Sequence, residues 1–232
     1  MNVKNAVQRL KTLTKVIFNK EFIIFPEVVC KTKKFGSSYG GWNIVTKNIN
    51  SNSIVYSFGV GEDASFDLAL INEFGLTVHA FDPTPKSIDW VKTQNFPDRF
   101  VMHEYGLAAI DGEVLFNPPQ NPKHVSHTLL DRPATNVKAI PVHVKKLRTI
   151  MDALEHSQID ILKMDIEGAE YEVINDIVES KIRPKQLLVE FHHRFPGVGI
   201  TTSKKAINKI RLIGYQLFSV SPSNQEFGFI RI

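Results

Sequence analysis

Residues 160–174 read DILKMDIEGAEYEVI. An apolar run from Ile159 to Met164 leads directly into Asp165, Glu167 and Glu170, with Gly168 between the last two. A carboxylate taken out of water is costly unless something pairs with it. A strand that ends on three of them must therefore end at water or at a ligand. A second group follows at VEFHHRF, residues 189–195. The i, i+2 spacing of Glu190 and His192 places both on one face of a strand. His192 is suited to act as a general base toward a hydroxyl. Alternatively, Glu190 and His192 join Asp165 as oxygen and nitrogen donors for a divalent metal ion. A third reading has one histidine simply packed in a polar loop. Spacing does not separate base from metal ligand, so no metal ligand set is assigned. The catalytic candidates are Asp165, Glu167, Glu190 and His192. Glu167 either faces substrate or caps the helix that follows, and Glu170, one turn in, suits the positive helix N-terminus.

The other chemistry-bearing stretch is VYSFGVGEDASFD, where Gly59, Val60 and Gly61 fall between a strand and a helix. Glycines there make a tight turn and let the backbone approach a ligand. The third glycine of the dinucleotide fingerprint is missing, because Ala64 and Ser65 occupy that region. Glu62 and Asp63 would also repel a pyrophosphate at the helix start. They suit a ligand with a positive end, such as a sulfonium and an α-amino group. Asp63 is equally suited to cap the helix. The next strand ends in HAFDPTP. Asp82 lies about 20 residues beyond the glycines, where an acid hydrogen-bonds ribose hydroxyls. Pro83 and Pro85 stiffen the turn after it. The ligand-binding candidates are Gly59, Val60, Gly61, Asp63, Asp82, Pro83, Asp165 and Leu107, the last from the third strand.

These residues need elements to hold them. SIVYSF (53–58), LTVHAF (76–81), RFVMHEYGLA (99–108), IDILKMDI (159–166) and QLLVEFH (186–192) read as strands. Helical spacing fills the intervals, with Gly75 as a C-cap. Residues 113–117 and 136–144 look like extra strands around a Pro/His-rich loop, and residues 4–20 like a packed helix. FGSSYGGW (35–42) is either a turn or a cover for the ligand. Alternating strands and helices predict an α/β fold, a doubly wound, mostly parallel seven-stranded sheet. YQLFSVS and EFGFIRI are joined too closely for a parallel crossover, so they form an antiparallel hairpin. That ending is what class I methyltransferases have. In such a sheet ligands bind at the carboxyl ends of the strands, beside the point where strand order reverses. Asp165 then lies next to the GVG loop. The division expected is 1–48, a helix and lead-in loop packed on the core, and 49–232, the ligand-binding domain.

The 232 residues, 43% hydrophobic, suffice for one large domain. No segment reaches the roughly 18 apolar residues of a membrane span. The N-terminus lacks the apolar core and cleavage site of a signal peptide, which suggests a cytoplasmic protein. Cys30 is the single cysteine, which excludes an internal disulfide and a cysteine-rich zinc site. The net charge of +4 is mild, and no dense basic patch with interleaved aromatics is present, so nucleic acid is an unexpected partner. NPPQ (117–120) lies in the inserted loop and lacks the aromatic that would stack a base. Nothing in the motifs sets an oligomeric state.

DILKMDIEGAEYEVI resembles the signature segment of FkbM-type methyltransferases. VYSFGVGEDASFD, HAFDPTP and VHVKKLRTIMD resemble the same family's cofactor loop, acidic loop and strand-to-helix junction. The resemblance covers roughly residues 50–232. Where many members carry an Asn after the loop glycines and a Glu at the second acidic position, this chain has GVGED and Asp82. The resemblance implies S-adenosyl-L-methionine as cofactor, with a divalent metal as an open addition. It also implies O-methylation of a small-molecule hydroxyl, most often on a sugar, glycan or polyketide. An RNA 2′-O-methyltransferase, using Lys163 with Asp165, and a non-catalytic cofactor-binding scaffold are the rival readings.

Overall fold

In the computed structural model, which describes residues 16, 21–117 and 139–232, alternate residues of each central strand enter different cores. Val55, Ile161 and Leu188 pack on one side of the sheet, and their neighbours Tyr56, Leu162 and Leu187 on the other. That is the period of two expected of strands covered on both faces. It explains why ILKM and QLLV read as continuous runs rather than as alternation.

The elements in order are β1 (Thr32–Phe35), β2 (Trp42–Val45), β3 (Ile54–Phe58), α1 (Ser65–Phe74), β4 (Thr77–Phe81), α2 (Pro85–Lys92) and β5 (Phe100–His103). Then come β6 (Gly106–Leu107), β7 (Gly112–Phe116), β8 (Ile140–Lys145), α3 (Leu147–Ala153), β9 (Ile161–Met164) and α4 (Glu170–Glu179). The chain closes with β10 (Gln186–Glu190), α5 (Gly199–Leu212), β11 (Tyr215–Val220) and β12 (Glu226–Arg231). The main sheet has seven strands in the order β11-β12-β10-β9-β3-β4-β5. Strands β10, β9, β3, β4 and β5 run parallel, and β12 pairs antiparallel with both β10 and β11. The doubly wound sheet with an antiparallel C-terminal hairpin is thus as the sequence implies. Helices α3, α4 and α5 cover one face through Ile150, Val173, Ile177, Ile207 and Ile210. Helices α1 and α2 cover the other, with Phe66 and Leu70 against β3 and β4. Helix α1 ends on Gly75 at φ 64, whose N–H bonds the Ile71 carbonyl at 2.8 Å, as its position predicts.

Two expectations need correction. The third strand does not run through residues 99–108. It stops at His103, and Gly106–Leu107 pairs instead with β8 in a separate three-stranded sheet, β6-β8-β7. Gly106 lies against the Pro83 turn, where a Cβ would sit 3.0 Å from the ring, and glycine lets β6 pass there without displacing it. The lead-in before residue 49 is also not merely a loop. Strands β1 and β2 form a hairpin whose connection is the SSYGG stretch. Phe35, Trp42, Ile44 and Val45 are buried in the core beneath α1. Gln186 of β10 both donates to the Val45 carbonyl and accepts from its N–H, each at 2.8 Å. The strand expected over 136–144 begins at Ile140. The helix expected over 4–20, Val16 apart, and the Pro/His-rich loop lie outside the described residues. Among the described residues, no helix is long and apolar enough to cross a membrane.

Candidate active site

The carboxyl end of β3 is where strand order reverses, and the glycine loop lies there. Gly59 (φ 83) and Gly61 (φ 57) both take left-handed backbone conformations that other residues adopt only with strain. At Gly59 a Cβ would also collide with the Asp165 carbonyl oxygen. The loop is tied from three sides. The Gly59 N–H donates to the Phe81 carbonyl at 3.0 Å. Buried Lys163 donates to the carbonyls of Phe58 at 3.1 Å and Gly59 at 2.9 Å. Asp82 accepts the Gly61 N–H at 2.9 Å on one oxygen, and the Thr84 N–H and hydroxyl at 2.9 and 2.7 Å on the other. Asp82 therefore braces the loop from β4, a role its position alone did not reveal.

Asp63 accepts the Ser65 N–H at 2.8 Å, a helix-start contact, and the Ser37 hydroxyl at 2.7 Å. Burial works against its charge, but hydrogen bonds from Ser65 and Ser37 hold the carboxyl below the usual range. Through Ser37 it also pins the β1–β2 connection, so that Tyr39, Gly40, Gly41 and Trp42 form one wall of the cleft. SSYGGW is thus both a turn and part of the cleft.

Strands β9 and β10 are neighbours, with Met164 paired to Val189. Asp165 and Glu190, one residue beyond each, meet at the same edge. The turn DIEG then doubles back, with Glu167 at φ 52 and Gly168 at φ 104. His192 is buried behind these acids. Its Nε2 lies 3.4 Å from Glu167, 3.7 Å from Asp165 and 3.9 Å from Glu190. Its Nδ1 lies 3.3 Å from Glu170 Oε1, the atom that also accepts the His192 backbone N–H at 2.8 Å. The other Glu170 oxygen accepts the Gly168 N–H at 2.8 Å. Glu170 does serve a helix start, as expected. It is also fully buried and anchors His192, which the sequence did not disclose. Burial alone would lower the His192 pKa. The Glu170 hydrogen bond and the charges of Glu170, Glu167 and Asp165 outweigh it and push it up to about 10. Burial, followed by the Asp165 charge, pushes Glu190 up to about 9. His193 does not join the group. Its Nε2 lies 2.7 Å from buried Glu21, which also pairs with Arg194.

A cleft of about 720 Å³ brings the candidates together, a size usual for a small-molecule site. Gly59, Val60, Gly61, Asp63, Asp82, Pro83, Leu107, Asp165, Glu167 and Glu190 all line it. His192 does not line it, and stands behind the carboxylates. Trp42, Phe116 and Glu226 are further lining residues, brought in by the hairpin, β7 and β12. Their only sequence signal is membership in elements that topology folds back over the edge.

The FkbM methyltransferase domain family matches residues 47–217, more than half of the chain. The chain belongs to this family. It carries a methyltransferase domain of the class that uses S-adenosylmethionine. Two proteins named "Probable methyltransferase-like protein 24", from Rattus norvegicus and Homo sapiens, are each 26% identical to it over 185 residues. The match covers 78% of this chain but 42% of each relative, so the FkbM chain spans less than half their length. A crystal structure of methyltransferase FkbM from Methylobacillus flagellatus KT shares the fold, with a TM-score of 0.50 and 17% identity. That alignment covers 79% of this chain and 44% of the other.

Proposed function

We propose that this FkbM domain moves a methyl group from S-adenosylmethionine to a hydroxyl of a small molecule, with a sugar or glycan as the acceptor class. The observation that carries the reading is the charge of the cleft. A glycine loop shaped for close backbone approach is rimmed by the carboxylates of Asp63, Asp82, Asp165 and Glu167. Those groups repel a pyrophosphate and favour a cationic ligand. The bound cofactor supplies a methyl carbon on a sulfonium, whose positive charge the surrounding carboxylates would balance. Gly59, Val60 and Gly61 offer backbone to it. Asp82 keeps acceptor capacity beyond its three bonds, because a carboxylate has about four lone-pair sites, and that capacity suits a ribose hydroxyl. Pro83 and Leu107 give apolar walls. The chain's main contribution is alignment, since holding reactants in line is worth up to ~7–11 kcal/mol of barrier.

Sugar as acceptor rests on the family resemblance. Hydroxyl rather than amine rests on the end of β9, where DIEG stands in place of an Asn/Asp-Pro-Pro-aromatic segment. RNA is disfavoured by Lys163. A ribose-directed Lys/Asp pair needs that ammonium at the acceptor, whereas here it holds the Phe58 and Gly59 carbonyls. The test is incubation with methyl-labelled S-adenosylmethionine and panels of free sugars, glycan fragments, amines and RNA. Label is expected in an alkali-stable methyl ether on a sugar-type acceptor. Label in RNA or amines alone would contradict the acceptor class.

A further inference from the structure

We propose that Asp165, Glu190 and His192 bind one divalent metal ion at the carboxyl edge of β9 and β10. One oxygen of each acid and one imidazole nitrogen lie within 4.8 Å of one another. Ligands on opposite sides of an ion with bonds of about 2.2 Å stand ~4.4 Å apart, so closing on an ion requires shifts of a few tenths of an ångström. The geometry around Nε2 is the second observation. Three carboxylates approach it at 3.4 to 3.9 Å, all at the ring nitrogen that Glu170 does not hold. The third observation lies behind the ring. Metal-bound histidines almost always donate their other nitrogen to a carboxylate or carbonyl, which fixes the tautomer and ring angle. Buried Glu170 is placed to accept from Nδ1, and it holds the His192 backbone through the same oxygen. That arrangement leaves Nε2 as the lone-pair nitrogen aimed at Asp165 and Glu190. The fourth acid, Glu167, is near enough to serve as a further ligand or to hold bound water.

One imidazole with carboxylates suits a first-row ion such as manganese or zinc better than magnesium or calcium, which take oxygen alone. The ion's use rests on the transferase reading: a metal there would take the acceptor oxygen as a ligand and ease loss of its proton to water as the methyl carbon leaves the sulfonium and S-adenosylhomocysteine is released. Binding itself is separable from that reading. The experiment titrates Mn²⁺, and separately Zn²⁺, into the whole chain by calorimetry, with S-adenosylhomocysteine titrated in parallel. Expected is one ion per chain. His192→Ala and Glu190→Gln should weaken it at least ~tenfold, and Glu170→Gln by ~10–100-fold, the cost of losing an outer-shell partner. Melting curves confirm folding, and the two Gln variants, which remove the charge but keep the size, guard against collapse in the Ala variant. If neither ion binds the wild type while S-adenosylhomocysteine does, the metal site is wrong and the transferase reading stands. Equal metal affinity in wild type and all variants also overturns the site. Metal binding without S-adenosylhomocysteine binding keeps the site and overturns the transferase reading.

Discussion

His192 shows how far residue types carry and where they stop. Its spacing from Glu190 placed both at the ligand edge; Glu190 lines the cleft and His192 does not. Spacing did not reveal that the ring sits behind the acids, anchored by Glu170, because that contact joins a helix start to a strand end 22 residues away. The neighbouring acids push the imidazole pKa up to about 10, so the ring would give up its proton to a bound ion rather than act as a free base, and its part in the reaction is to hold that ion. His192→Ala should therefore lower methyl transfer by ~10²-fold or more, the scale for a positioned proton-handling group, while cofactor affinity stays within twofold. Glu170→Gln should reproduce part of that loss, and single-turnover kinetics with parallel cofactor titration checks both. Asp82 is the converse case. The sequence places it near ribose, and the structure shows it already holding Gly61 and Thr84. Charge-assisted bonds are worth about 1.5–3 kcal/mol each. Asp82→Ala is therefore expected to weaken S-adenosylhomocysteine binding at least ~tenfold and to lower the melting temperature too. A loss of affinity with no change in melting would mean that the brace is unimportant.

At the scale of elements, the glycine loop is fixed by its neighbours as much as by its own residues. Gly59→Ala combines strain at positive φ, about 1–3 kcal/mol, with collision against the Asp165 backbone, about 1–3 kcal/mol. It should destabilise the domain by roughly the sum in denaturant titration and abolish cofactor binding. Lys163→Met keeps the length of the side chain but removes the donor to two buried carbonyls. The loop should loosen, seen as faster amide exchange at residues 59–61, with the sheet unchanged. Most elements were legible because their apolar patterns and turn residues agree. The break between His103 and Gly106 was not. The apolar residues of RFVMHEYGLA continue past it, and the pairing of β6 with β8 spans a long insertion. The β1–β2 hairpin escaped notice because its strands are four residues each and β1 is largely exposed.

For the whole molecule, the sheet order that brings β3 beside β9 creates the site. That order was inferable from strand–helix alternation and the short final hairpin. Wider stability has a separate signature. On the α3 face, His79 Nδ1 lies 3.1 Å from His103 Nε2, and the Tyr56 hydroxyl lies 2.8 Å from His156 Nδ1. Burial, aided by the neighbouring histidines, lowers the His79 pKa from 6.5 to about 4. A folded-state pKa below the unfolded one means that the unfolded chain binds protons first. The stability held above pH 6.5 is then lost as pH falls toward 4. Melting temperature is expected to drop across that window, and less steeply in His79→Phe. An unchanged slope would contradict this source of acid sensitivity. The central claim is that the acid-rimmed glycine loop takes a sulfonium cofactor and not a dinucleotide. Calorimetric titration of the chain with S-adenosylmethionine and with NAD tests it most directly. Expected is stoichiometric binding of S-adenosylmethionine at micromolar affinity with no heat from NAD. Binding of NAD without S-adenosylmethionine would contradict it.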